Sequence, residues 1–360
     1  ELARRGRNKA KRYDLRQIGL GLAVTQQLQL PLFYYVYAGN EPDSSVFDAL
    51  LPKLVAELSD LGQADATWVY DKGCVSERNQ RHVQEHGIAF VTSVPPSYYP
   101  DLLAIDLERM TPVDPEQHPA LEGFRIWAER RKRWGRELLL VMSHSPELAA
   151  GQLAGVLQHQ TKAVKDLQAL QTALARRTPK SRGRKPTLAS VRRQVERLLS
   201  PQHLRHLISV RVYEEDGLVR LSYQIDDAHL QHLKDHLFGR RIWITSQLDW
   251  PALKVLQTAH QQASVEAAFR QIHDPAHVSW QPMHHWTDQK IRVHALYCLI
   301  AFLLVQLLRL LARRAGDTRS VTAILADLNE VQECLVVPVL RSPDERPHLE
   351  TGLNVTDPAQ

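Results

Sequence analysis

Residues 1–93 predict an α/β fold built on a mixed sheet. Two observations carry that prediction. Short runs rich in aromatic and β-branched residues alternate with stretches whose apolar residues recur every three or four positions. Their order is strand, strand, helix, strand, helix, strand, the pattern of a layered α/β domain.

The elements follow in turn. Residues 15–24 form a glycine-containing apolar run, and residues 31–37 read Pro-Leu-Phe-Tyr-Tyr-Val-Tyr. A polar turn at 25–29 joins them as a hairpin. Gly39 and Asn40 end the second strand. Asp43 or Ser44 suits the cap of a helix reaching residue 61, with Val46, Leu50, Leu54 and Leu58 on one face. Residues 67–70 are a short strand, Ser76 opens a helix that stops before Gly87, and 88–91 is the next strand. Prolines at 95, 96, 100, 112, 115 and 119 then punctuate a loop-rich stretch. Residues 147–175 have helical composition, 176–186 form a basic linker, 189–199 are helical, and 207–213 with 218–225 pair as a hairpin. The stretch 94–240 reads as an inserted subdomain. Residues 241–245 resume the sheet, 250–273 form one long helix, and 288–312 an apolar one. Residues 321–333 are helical, 334–340 suit a terminal strand, and 341–360 a frayed tail.

Bulk properties narrow the function classes. The chain has 360 residues, 44% of them hydrophobic, and a formal charge of +5. Basic side chains concentrate at residues 4–12 and 176–197, which suits a polyanionic partner. Cys74, Cys298 and Cys334 are too far apart for a metal knuckle or a disulfide framework, and fit a reducing cytosol. The apolar run 294–311 is long enough to raise a membrane span. Gln306 and Arg309 interrupt it, and it reads as a buried core helix, with no membrane partner.

Asp71 closes the strand Thr67-Trp68-Val69-Tyr70, and Glu266 lies in the helical segment Val265-Glu266-Ala267-Ala268-Phe269-Arg270. Carboxylates from separate elements can hold a hard divalent cation, and a charge at a strand end invites a functional reading. By residue type alone, Asp71 also suits a cap or turn and Glu266 a solvated helix face, the commoner roles of such residues. Trp127 and Trp134 flank Arg130–Arg133 and suit either stacking on an unpaired base or the packing of an amphipathic helix.

Five segments in order resemble the DDE-type transposases of the insertion-sequence superfamily named after insertion sequence 4. They are Arg12-Tyr13-Asp14-Leu15-Arg16-Gln17-Ile18-Gly19-Leu20, the Pro31-Leu32 to Asp43 stretch containing Gly39-Asn40, Val69-Tyr70-Asp71-Lys72-Gly73, Val265 to Arg270, and Lys290-Ile291-Arg292-Val293-His294. The resemblance implies an RNase H-like core with flanking helices and a large insertion before the glutamate-bearing helix. It implies Asp71 and Glu266 as catalytic metal ligands and two Mg²⁺ or Mn²⁺ ions. Its partners would be double-stranded DNA with terminal inverted repeats, handled by a homodimer in the bacterial cytoplasm, on the nucleoid. Arg176, Arg177, Lys180, Arg182, Arg184, Lys185, Arg270 and His273 are the expected DNA contacts.

The chain departs from that family in a decisive place. The first catalytic aspartate has no counterpart, since Asp14 lies downstream of where it belongs. Its natural home is a strand beside residues 15–24. Ala259, Gln262 and His273 stand where the family often carries Tyr, Arg and Lys around the glutamate. The chain therefore reads as an N-terminally truncated transposase, catalytically inert or nearly so. The alternatives are a metal-dependent nuclease and a non-catalytic DNA-binding remnant.

Overall fold

The computed structural model describes residues 1–6, 12–178, 181, 183, 185–275, 277, 278, 280, 281 and 283–330. The chain divides into two compact units, residues 1–64 with the segment from 261 onward, and residues 65–260. In chain order the first unit begins with β1 (Arg4–Arg5), β2 (Arg16–Val24), β3 (Pro31–Ala38) and α1 (Asp43–Asp60). The second holds β4 (Trp68–Tyr70), α2 (Glu77–Glu85), β5 (Phe90–Val94), β6 (Thr111–Pro112), β7 (Arg125–Arg133), β8 (Arg136–His144), α3 (Pro146–Ala175), α4 (Leu188–Leu198), α5 (Leu204–Leu207), β9 (Ile208–Glu215), β10 (Leu218–Ile225), α6 (Asp227–His236), β11 (Arg240–Thr245) and α7 (Ala252–His260). The chain returns to the first unit with α8 (Gln262–His273), α9 (Asp288–Arg314) and α10 (Val321–Glu330).

In the first unit, β2 and β3 form the expected antiparallel hairpin, with an irregularity at Ala23/Val24. Among the described residues, β2 pairs on its other side with β1 alone, at Gln17 and Arg16. Gly19 packs beneath the Tyr37 ring so closely that a Cβ would fall 2.1 Å from it, which explains a glycine in mid-strand. Helix α1 starts after Pro42 without a side-chain cap. Asp43 instead sits inside the first turn, accepting from the Tyr37 hydroxyl at 3.1 Å. The core joins Val36 to Ala268 and Ile272 of α8 and to Ile291, Ala295, Leu299 and Phe302 of α9, with Leu20 and Leu22 packed against it.

Helix α9 is the expected core helix on one face only. By length and composition it could cross a membrane. One face is buried, while Val293, Tyr297, Ile300, Leu304 and Leu311 on the other are exposed.

In the second unit a six-stranded mixed sheet has the order β4-β5-β11-β8-β7-β6. The β4–β5 pair is parallel, as two strands joined by a helix require, and the other pairs are antiparallel. Both faces of its middle are covered. Val91, Leu139, Val141 and Trp243 pack with Val255, Leu256 and Ala259 of α7, and Phe90, Leu140 and Met142 are buried as well. That accounts for the unbroken run Leu138–Met142 in β8. The β9–β10 hairpin turns at Asp216 and Gly217, both at positive φ. It packs with α3, α4, α5 and α6 around Leu167, Val191, Leu204, Leu207, Leu221 and Phe238, a core of its own.

The two compact units divide at 64/65 and 260/261. The β7–β8 hairpin, which falls inside 94–240, extends the sheet that contains β5 and β11. The separately cored part begins only at α3. Residues 250–273 form two helices rather than one, broken at Gln261. The stretch containing Trp127 is a strand, not an amphipathic helix. Residues 331–360, including the expected terminal strand and tail, lie outside the described residues.

Candidate functional site

Asp71 is placed by the end of β4. Tyr70, the preceding residue, is buried and stacks on Phe90 at 5.7 Å. Its hydroxyl accepts from Gln80 Nε2 at 2.8 Å, and Gln80 Oε1 accepts in turn from Arg136 at 3.1 Å. Burial raises the Tyr70 hydroxyl pKa well above its ordinary value, so it stays protonated. The Thr92 hydroxyl donates to the Tyr70 carbonyl at 2.7 Å. These bonds fix the strand end from both sides. Asp71 then leaves the sheet with an exposed side chain, and Oδ2 accepts the Gly73 amide at 3.0 Å, capping the short 3₁₀ turn Lys72–Cys74. Within its own unit Asp71 is a cap, and its carboxylate remains open to solvent.

Glu266 is placed by α8. Ala268 and Ile272 point into the core and anchor the helix against the β2–β3 hairpin. The Ser264 hydroxyl donates to the Gln26 carbonyl at 3.0 Å, and Gln271 donates to Gln29 at 3.1 Å. Gln306 of α9 donates to Gln271 at 2.6 Å, so both ends of α8 are tied. Glu266 and Arg270 are exposed and one turn apart, on one helix face. His273 lies near the C-terminal end of the helix, its ring edge-on to Trp280 at 6.2 Å. Burial lowers its pKa below the ordinary imidazole value, which favours the neutral ring at pH 7. His294, from the last resembling segment, bonds the Trp280 carbonyl at 3.2 Å and serves the packing of that corner.

Of the expected DNA contacts in the second unit, Arg177 and Lys185 come together. They line a shallow cleft with Thr178, Ser181 and Pro186 against Gly217, Leu218 and Val219 of the β9–β10 turn. Arg176 caps the C-terminus of α3 and is exposed. Lys180, Arg182 and Arg184 lie outside the described residues. Asp71 belongs to the second unit and Glu266 to the first.

The arginines between Trp127 and Trp134 serve the fold. Arg131 pairs with Asp101 and Glu129, and Arg130 with Asp249 at 2.9 Å. Arg133 stacks over Tyr98 at 4.5 Å, Tyr99 at 5.0 Å and Trp134 at 5.1 Å. The Trp127 indole donates to Glu129 at 3.1 Å. One buried cation escaped sequence reasoning. Arg240, 4% exposed, donates to the carbonyls of Leu103 at 3.0 Å, Ile105 at 2.6 Å and Asp235 at 2.7 Å. Its only sequence signal was a charge at the start of a buried strand.

Asp71 and Glu266 are each exposed and each offers carboxylate oxygens, the donor type that hard divalent cations take. Among the described residues no three His, Cys, Asp or Glu side chains form a group that could hold a metal ion. No family model matches this chain, and neither a curated protein nor a solved structure matches it.

Proposed function

We propose that this chain is the core of a DDE-type insertion-element transposase. In this reading the mixed α/β architecture is of the RNase H-like kind. Asp71 and Glu266 would be two of the three metal-ligating carboxylates, and the 360 residues by themselves bind DNA without cutting it. The observation that carries the reading is the packing of α8 on the β2–β3 hairpin within one unit. It puts the segment around Glu266 against strands containing two of the other resembling segments. The missing carboxylate would belong on a strand beside β2. From Ile18 to Val24 that edge has no strand partner among the described residues. When bound, a divalent ion would supply charge neutralisation at a scissile phosphate. The chain's own contribution is to hold Asp71 at a braced strand end and Glu266 on an anchored helix, with Arg270 one turn away to meet a phosphate.

DNA affinity of the full chain, measured across a salt series, tests this reading. Binding should weaken steeply with salt and be nearly independent of sequence, because Lys and Arg act on the phosphate backbone. Lys185→Ala and Arg270→Ala should each weaken it uniformly and flatten the logarithmic salt slope by about one. Absence of binding at low salt overturns the reading. A slope untouched by either substitution removes these residues from the DNA interface.

A further inference from the structure

A row of histidines in the second unit takes no part in the proposed function. His206 ends near His229, their ring centroids 5.4 Å apart. His229 and His232 are separated by 6.2 Å, and His232 and His236 by 4.7 Å with an interplanar angle of 51°. His232 and His236 stand one turn apart on α6, so they project from the same face. Two imidazoles bound to one ion at about 2.1 Å, in neighbouring coordination positions, bring their ring centroids to roughly 4.5–5.2 Å. Of the three neighbouring pairs, only the last falls in that interval.

The surroundings of His236 supply a second observation. Its Nδ1 lies 3.2 Å from the Leu103 carbonyl. A carbonyl only accepts, so Nδ1 carries the proton and the Nε2 lone pair is left for a ligand. A ring nitrogen donating to a backbone carbonyl is the usual orienting contact of a metal-bound histidine. The carbonyl is itself fixed, because buried Arg240 donates to it at 3.0 Å. His232 is exposed, which gives an ion a path from solvent.

We propose that His232 and His236 form a two-imidazole site for a borderline divalent transition-metal ion of the Cu²⁺, Ni²⁺ or Zn²⁺ class. Two protein ligands leave the remaining coordination positions to water. Imidazole nitrogen selects these ions over Mg²⁺, which keeps this site chemically separate from the carboxylates. An ion bridging one turn would brace α6 and, through Leu103, the loop before β6.

Titration of the full chain with Ni²⁺ and with Cu²⁺, followed by calorimetry, tests the proposal. One ion should bind with an affinity that His232→Ala lowers by about tenfold or more, a loss at least as large as that of an orienting contact. Cu²⁺ should bind more tightly than Ni²⁺. His232 is exposed, so this substitution leaves the fold intact, and far-ultraviolet circular dichroism checks that. His236→Ala should cause a similar loss, while His206→Ala should leave the affinity unchanged. Unaltered affinity in His232→Ala, or loss in His206→Ala alone, overturns the assignment.

Discussion

Arg240→Met should destabilise the second unit by about 2–5 kcal/mol, the cost of leaving buried carbonyl acceptors unpaired. The methionine keeps most of the side-chain volume, so the cost is polar rather than steric. It leaves the carbonyls of Ile105 and Asp235 without the guanidinium that satisfies them, while that of Leu103 keeps the His236 ring. Each orphaned buried acceptor costs roughly 1–3 kcal/mol, and some of that is recovered by local relaxation. Arg240→Lys should rescue little, because one ammonium cannot reproduce the planar fork that reaches three oxygens. Urea denaturation followed at the second unit, with hydrogen exchange in β11, reads the effect. A loss below about 1 kcal/mol would mean that water replaces the guanidinium at that position.

Phe302→Ala should cost the first unit about 3–5 kcal/mol, as aromatic-to-alanine changes in closed cores do. Phe302 has no exposed surface and lies in the cluster that holds α8 through Ala268 and Ile272. The cavity would loosen the helix that carries Glu266, so amides of α8 should exchange faster well before the unit unfolds. Leu304→Ala, two residues away and itself 59% exposed, is the matched control, with an expected change within about 0.5 kcal/mol. Equal effects of the two substitutions would show that the exposed face of α9 is covered in solution.

Elements are legible in the sequence where their signal is local. Strands β2 and β3, helix α2 with its Ser76 cap, and the β9–β10 hairpin were legible because turn residues and periodicity agree over a few positions. Ser76 accepts the Asn79 amide at 3.1 Å, as its place before the helix suggests. The β7–β8 hairpin was not legible. In β7, charges occupy successive positions because Arg130, Arg131 and Arg133 have partners distant in sequence, and in β8 burial on both faces erases alternation. The break at Gln261 was hidden because the apolar residues of α7 and α8 read as one broad face. The cap at Asp43 failed because Pro42 occupies the capping position.

The candidate site was legible as residue types, not as an assembly. Asp71 stands where a strand end was expected, and the capping role weighed against it is realised through Gly73. Glu266 stands on an exposed helix face, as either reading required. The Arg177–Lys185 cleft depends on the β9–β10 turn, which is distant in sequence. The histidine row needed α6, an element whose short amphipathic pattern went unread between the hairpin and β11.

Iron-directed backbone cleavage tests the proposal most directly, that Asp71 and Glu266 are metal-ligating carboxylates. Fe²⁺ replaces Mg²⁺ at carboxylate sites, and with ascorbate and peroxide it generates radicals that cut the chain beside the bound ion. Cuts are expected next to Asp71 and next to Glu266, the first set lost in Asp71→Ala and the second in Glu266→Ala. Cuts that persist at a position whose carboxylate has been replaced, or cuts beside neither residue, would contradict it.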